Sequence, residues 1–322
     1  MCAQSVDSDV GPAEIKPIVA FHDVSKWYGN VIGLNKLSVR ISPGITGLLG
    51  PNGAGKSTLL QLATGQLFPS KGTVEVLGRR TWNNPALNRS IGLCPEQDAL
   101  YEWMTGADFL ATCARLGGMG RTQARQAGER ALETVGLTRQ KDRIVAGYSK
   151  GMRQRTKLAQ SLVHDPQVLF LDEPMTGTDP VARHDLMDII QRLAAAGKTI
   201  VFSSHVLHEV EAITSNIILL NRGRLLAQGH IRQIRDLMDQ HPHRIVLACR
   251  DCRVLGAGLM QWPHVESIHL QDRDQSLVVE TRQPDAFYAG LPQLALQTNQ
   301  EITEMYSEDD NLEAVFRYLV PT

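Results

Sequence analysis

Aromatic side chains make up only 5% of the 322 residues, no apolar run approaches the length of a membrane span, and the formal charge is −1. Without such a run no segment reads as a transmembrane helix, so any membrane role has to pass through a partner. A balanced charge excludes a general attraction to nucleic acid or to anionic lipid. Five cysteines, Cys2, Cys94, Cys113, Cys249 and Cys252, are an odd number without framework spacing, which suits a reducing compartment. Cys249 and Cys252 form one C-x-x-C, but a zinc site would want a second pair, so neither metal nor redox chemistry is expected there. Residues 1–17 combine small residues with Asp7, Asp9, Pro12 and Glu14 and read as a loose tail, not a signal peptide.

What is present is ordinary for a globular protein, with 43% hydrophobic and 21% charged residues and a length that suits two domains. Charge is unevenly spread. Residues 1–230 hold 25 Lys and Arg against 20 Asp and Glu, and the remainder 8 against 14, an acidic balance that argues against a DNA-binding appendage.

The strongest local signal is the nonapeptide Gly50, Pro51, Asn52, Gly53, Ala54, Gly55, Lys56, Ser57, Thr58, which fits G-x-x-x-x-G-K-S/T. It follows the apolar run at residues 45–49 and precedes an apolar stretch at 59–63 that reads as a helix. Glycines there let successive backbone N–H groups turn inward around an anion, and the helix N-terminus adds partial positive charge. Lys56 is placed to reach β- and γ-phosphates and the Ser57 hydroxyl to ligate Mg²⁺.

Residues 18–24 and 37–41 read as strands, separated by a turn at 26–30 that carries Trp27 and Tyr28. One of these aromatics, Tyr28 in preference, could stack on an adenine ring. Short strands follow at 73–77 and 90–94, then mainly helical segments between 97 and 147, chiefly 107–116 and 122–135, separated by Gly117, Gly118 and Gly120. Ser149 suits the N-cap of a further helix that stops ahead of Pro166. Residues 168–171 are continuously apolar and end in Asp172 and Glu173, as expected of a strand buried on both faces in a parallel sheet. Acids at such a strand end sit where ligands bind in open α/β sheets: Asp172 to hold Mg²⁺, Glu173 to take a proton from an attacking water. A second buried strand at 199–203 ends near His205.

Taken together and in this order, residues 18–230 resemble the nucleotide-binding subunits of ABC transporters. The nonapeptide matches the Walker A loop, residues 168–173 the Walker B strand, residues 178–180 the D-loop and His205 the switch histidine. Residues 148–152 stand at the signature position, with Lys150 where glycine is common and Met152 where glutamine is common. The resemblance implies an α/β P-loop NTPase of the ABC ATPase fold, with a RecA-like core, an antiparallel β subdomain and a helical subdomain at about 97–160. It implies ATP and Mg²⁺ as cofactors, bound between two copies packed head to tail. Walker A of one copy would then face Ser149 and Gly151 of the other, with Asp179 joining the two sites and His205 on the γ-phosphate. The Q-loop glutamine aligns with Glu96, and Gln97 follows; Gln97 is a metal-ligand candidate, and the sequence does not decide between the two.

By the same resemblance, the stretch from Tyr101 to Met104 would meet a membrane subunit. Residues 231–322 read as a small α+β accessory domain, with a connecting helix at 231–238, a linker at 241–243, strands at 244–248 and 276–281, and helices at 284–290 and 312–319. This domain resembles the C-terminal extension of ABC-2 type export ATPases, particularly at residues 311–316. The implied function is an ATPase homodimer that drives a separate ABC-2 type permease in export. Such a subunit is peripheral to the cytoplasmic face of the membrane, which it touches only through the permease. The alternative is a soluble ABC-type ATPase acting on DNA repair or ribosomes. Such proteins usually carry two cassettes, coiled coils or basic arms, none of which is found here.

Overall fold

The computed structural model describes residues 16–231, 242–271 and 276–307. The expectations for the tail before residue 16, the helices at 232–238 and 312–319, and the motif at 311–316 lie outside the described residues. In chain order the strands are β1 Val19–Tyr28, β2 Val31–Ile41, β3 Ile45–Leu49, β4 Lys71–Val76, β5 Arg79–Arg80, β6 Ile91–Cys94, β7 Val168–Leu171, β8 Thr199–Ser204, β9 Asn216–Asn221 and β10 Arg224–His230. Four more, β11 His243–Cys249, β12 Val265–Gln271, β13 Ser276–Thr281 and β14 Ile302–Ser307, close the series. The helices are α1 Lys56–Ala63, α2 Pro85–Asn88, α3 Gly106–Leu116, α4 Arg121–Thr134, α5 Lys150–Leu162, α6 Pro180–Ala195, α7 Leu207–Glu211, α8 Cys252–Leu259 and α9 Pro284–Gln297. Among the described residues no helix is long and apolar enough to cross a membrane.

The described residues divide into two compact units, one holding those of 16–45 and 57–202 and the other those of 46–56 and 203–307. In the first, β1 pairs antiparallel with β2 and β4, in the order β2-β1-β4-β5. The strand β1 runs on through Tyr28, so the turn expected at 26–30 shrinks to Gly29 and Asn30. Register pairs Trp27 with Ile32 and Tyr28 with Val31, which draws the aromatic pair into a hairpin end. Beside it, β6, β7 and β8 run parallel, Leu169 standing between Gly92 and Ile200. Every residue of β7 and β8 is buried, which explains their unbroken apolar run: a parallel strand covered on both faces has no wet side. The helices α3, α4 and α5 pack together on alanines and glycine, with Ala111 and Leu110 so near Gly128 that a Cβ there would stand 3.1 Å from the Ala111 nitrogen.

In the second unit β3 runs parallel to β9, with Gly47 opposite Ile217 and Leu49 opposite Leu219, and β9 turns through Arg222 and Gly223 into antiparallel β10. The residues beyond 242 form a sheet in the order β12-β13-β11-β14. Its core is Ile245, Leu247, Leu277 and Val279 under Leu255, Leu259, Phe287 and Leu291 of α8 and α9. Strands β12 and β14 and helix α8 were not anticipated in the sequence. Cys249 and Cys252 are part of this core, their Sγ atoms 3.0 Å apart, and burial pushes the Cys249 thiol up to about 12.

Candidate functional site

The phosphate loop rests on the turn between β9 and β10. A Cβ on Gly50 would stand 2.5 Å from the Leu220 carbonyl oxygen and 2.9 Å from Ala54 Cβ, so the close seat demands glycine. Gly223 N–H donates to the Ala54 carbonyl at 2.9 Å, and Ala54 N–H to the Pro51 carbonyl at 3.1 Å. Gly53 and Gly55 take φ of 80° and 103°, the left-handed region that a cradle of inward N–H groups needs. Lys56 is buried and its Nζ donates to the carbonyls of Gly50 at 2.7 Å and Pro51 at 3.4 Å, so the loop is wrapped around its own cation. Pro51 is half-buried, and Asn52 and Gly53 are exposed.

In this same unit His205 is exposed just past β8. Its backbone is fixed from both sides. The buried Ser204 hydroxyl donates to Glu209 at 2.8 Å and accepts from Val206 N–H at 3.0 Å, which holds the chain in a tight corner with the histidine outward.

The first unit continues the loop with Ser57 and Thr58 in the opening turn of α1. Tyr28 shares a hydroxyl–hydroxyl hydrogen bond with Thr58 at 3.3 Å, and its ring is so near Gly33 that a Cβ there would stand 2.8 Å away. Thus the aromatic singled out in the sequence lies beside the helix start, about half exposed. Trp27 instead stacks under Lys71, whose Nζ lies 5.8 Å from its ring.

Asp172 and Glu173 are both buried at the end of β7. Asp172 N–H donates to the Cys94 carbonyl at 2.8 Å. Glu173 adopts φ of 46°, strained for a non-glycine residue, and accepts from the Thr176 hydroxyl at 3.3 Å. Thr176 is held in turn, its carbonyl accepting from Gln154 on α5 at 3.0 Å. Helix α5 begins at Ser149, whose hydroxyl accepts from Met152 N–H at 3.3 Å, and α6 begins at Asp179, whose carboxylate accepts from Ala182 N–H at 2.9 Å. Gly151 lets the two helices touch: a Cβ there would stand 2.7 Å from Ala182 Cβ.

Glu96 and Gln97 are both exposed in the loop after β6. That loop is tied to α5 by residues the sequence did not flag. Lys157 Nζ donates to the Glu96 carbonyl at 2.6 Å, and Arg153 pairs with Asp98 at 2.5 Å and Glu102 at 3.0 Å. The Asp98 hydrogen bond raises the Arg153 pKa further, so its charge is permanent. Burial pushes the Cys94 thiol up to about 12, while Lys157 draws it down and Asp172 pushes it up. The available signal was the i, i+4 spacing of Arg153 and Lys157 on one face of a helix, which identifies neighbours but not what they reach.

For a metal, the first unit offers a serine hydroxyl at Ser57 and a carboxylate at Asp172. Among the described residues no cluster of three or more His, Cys, Asp or Glu could hold an ion by itself. Hard oxygen donors that leave most positions to phosphate and water fit Mg²⁺, which keeps several waters and binds through one or two protein groups.

A parallel strand that runs into a glycine-rich phosphate loop, in a chain that also has a buried parallel strand ending in an Asp-Glu pair, is the pattern of the P-loop nucleotide hydrolases. A family model described as ABC transporter matches residues 34–176. The uncharacterized ABC transporter ATP-binding protein YxlF of Bacillus subtilis is 32% identical over 85% of this chain and 89% of its own length. Nod factor export ATP-binding protein I of Mesorhizobium japonicum is 35% identical over 75% of this chain and 74% of its own. The solved structure of CbiO1 from Clostridium perfringens, part of an ABC transporter complex, superposes with a TM-score of 0.62 at 25% identity, over 70% of this chain and 94% of that one. The chain belongs to the ABC transporter ATP-binding proteins and is an ATP-binding, ATP-hydrolysing transport subunit.

Proposed function

We propose that two copies of this chain bind two ATP molecules head to tail and drive a separate membrane permease of ABC-2 type in export. The carrying observation is the seated phosphate loop, with Gly53 and Gly55 at positive φ around the buried Lys56. In this reading Gly50, Pro51, Asn52, Gly53, Ala54 and Gly55 surround the β- and γ-phosphates, every residue of the loop but Pro51 having a backbone N–H to offer, and the Lys56 ammonium turns from its loop carbonyls to the phosphate oxygens. Ser57 and Asp172 would hold Mg²⁺, with Gln97 as a further ligand, and the ion would supply positive charge beside the phosphates. Tyr28 stacks on the adenine, and Thr58 lies under its hydroxyl.

Glu173 accepts a proton from the attacking water as the water oxygen bonds to the γ-phosphorus and the bond to the leaving ADP oxygen breaks. Its strained backbone and the Thr176 hydroxyl support a single carboxylate orientation. His205 donates to the γ-phosphate, while Ser149 and the α5 N-terminus at Gly151 of the second copy meet it from the far side. Gly151 against Ala182 supports a signature helix and a D-loop helix that move as one piece.

Residues 18–230 form the ATPase domain in this reading, with the helical subdomain near 97–160 and residues 231–322 as an accessory domain. The export direction is supported by the name of the Mesorhizobium relative. Trp103, 75% exposed and stacked on Tyr101 at 5.2 Å, offers an apolar contact to the permease on the cytoplasmic face. The test is membrane fractionation with and without a co-expressed permease from the neighbouring reading frame. Partner-dependent, salt-releasable recovery in the membrane fraction is the expected result, and a wholly soluble pool in both cases overturns the transport assignment.

A further inference from the structure

Two basic side chains one helical turn apart on α5 grip the loop that follows β6. Lys157, 2% exposed, donates to the Glu96 carbonyl at 2.6 Å, and Arg153 holds Asp98 at 2.5 Å. A buried ammonium is costly, and a hydrogen bond to a neutral carbonyl offsets that cost only in part. An apolar side chain would serve packing alone better at this position. The surroundings supply a reason for the charge. Cys94, the last residue before the loop, has its carbonyl accepting from Asp172 N–H at 2.8 Å. Pro95 and Gln160, the latter one turn beyond Lys157, share with Asp172 the wall of a cavity of about 180 Å³. The ammonium, the loop main chain and the Asp172 carboxylate therefore lie in one neighbourhood of the first unit.

We infer that Lys157 is a positioning residue for the metal side of the nucleotide site, pinning the main chain at Glu96 and so fixing where the Glu96 and Gln97 side chains stand relative to Asp172. The inference rests on the nucleotide-site assignment above. It adds a part which the motif residues do not contain: the helix that carries Ser149 and Gly151 also sets the loop on the metal side of its own subunit, through a buried cation. A loop with a glutamate at position 96 carries one more negative charge than one with glutamine, and the buried Lys157 sets a positive charge against it.

The experiment uses the full-length protein and the variants Lys157→Met and Lys157→Arg. Three readouts are taken: Mn²⁺ affinity by electron paramagnetic resonance in the presence of ADP, nucleotide affinity in EDTA, and kcat and KM for MgATP. Lys157→Met should weaken Mn²⁺ about tenfold or more and lower kcat in step, with metal-free nucleotide affinity unchanged, and Lys157→Arg should restore most of both. Where Lys157→Met does not fold, Lys157→Gln is judged by the same criteria. Wild-type Mn²⁺ affinity and kcat in the folded neutral variant, or a parallel loss of metal-free nucleotide binding, overturns the inference. A wild-type protein that binds no nucleotide overturns the site assignment instead.

Discussion

Arg153 Nε stands 2.5 Å from Asp98 Oδ2, joining the helix that begins at Ser149 to the loop that holds Gln97. Asp98 is about two-fifths exposed, so the pair contributes about 1 kcal/mol or less to stability. Its weight lies in coupling. Arg153→Ala is expected to leave the melting temperature within a few degrees and ATP affinity nearly unchanged while lowering kcat several-fold, as measured by thermal denaturation, equilibrium binding and steady-state hydrolysis.

Removing the general base while keeping its shape separates binding from chemistry. Glu173→Gln should bind ATP with wild-type affinity and hydrolyse it about 10² to 10⁴ times more slowly. Phosphate release from purified protein measures this, and normal turnover would assign the proton acceptor elsewhere.

Gly151→Ala places a methyl group 2.7 Å from Ala182 Cβ. Overpacking of this kind costs about 1–3 kcal/mol and pushes α5 away from α6. The expected result is a lowered melting temperature together with impaired hydrolysis, whereas ATP affinity of the isolated subunit, set by the loop at Gly50 to Thr58, changes little. Equal loss of ATP affinity would place Gly151 in the same half-site as Lys56.

Tyr28→Ala should weaken ATP about tenfold, in keeping with a base–aromatic stack of about 1–3 kcal/mol, while Tyr28→Trp retains binding. Titration with ATP and with inorganic triphosphate distinguishes the cause. A loss confined to ATP identifies the adenine ring as the contact, and equal losses assign the tyrosine to supporting Thr58.

Cys94 provides a pH test. Its folded pKa of about 12 lies above the ordinary 9.0, so the folded state holds this proton more tightly than the unfolded state. The resulting stability is fully present below pH 9 and is lost as pH rises from 9 towards 12. Melting temperature should therefore fall over that window, and less steeply in Cys94→Ala.

The phosphate loop was legible because its chemistry is local: nine consecutive residues carry the glycines, the lysine and the hydroxyls. Asp172 and Glu173 were legible because β7 is buried on both faces and so announces its end. Lys157 was not, since its acceptor is a main-chain carbonyl 61 residues away and carbonyls leave no mark in a sequence. The setting of Tyr28 was misjudged, because β1 extends through it on the strength of pairing with β2 and not of its own composition. In the accessory region β14 is exposed along most of its length, with Glu304, Met305 and Tyr306 facing water, and a strand without an apolar alternation gives no period to read.

The loop at Gly50 to Thr58 sits on β9 and on the turn at Gly223, which are encoded far downstream of it. During synthesis the ribosome delivers every catalytic motif through His205 before it delivers that seat. A nascent chain halted after His205 would carry the whole written vocabulary of an ATPase and still lack the shelf its phosphate loop rests on.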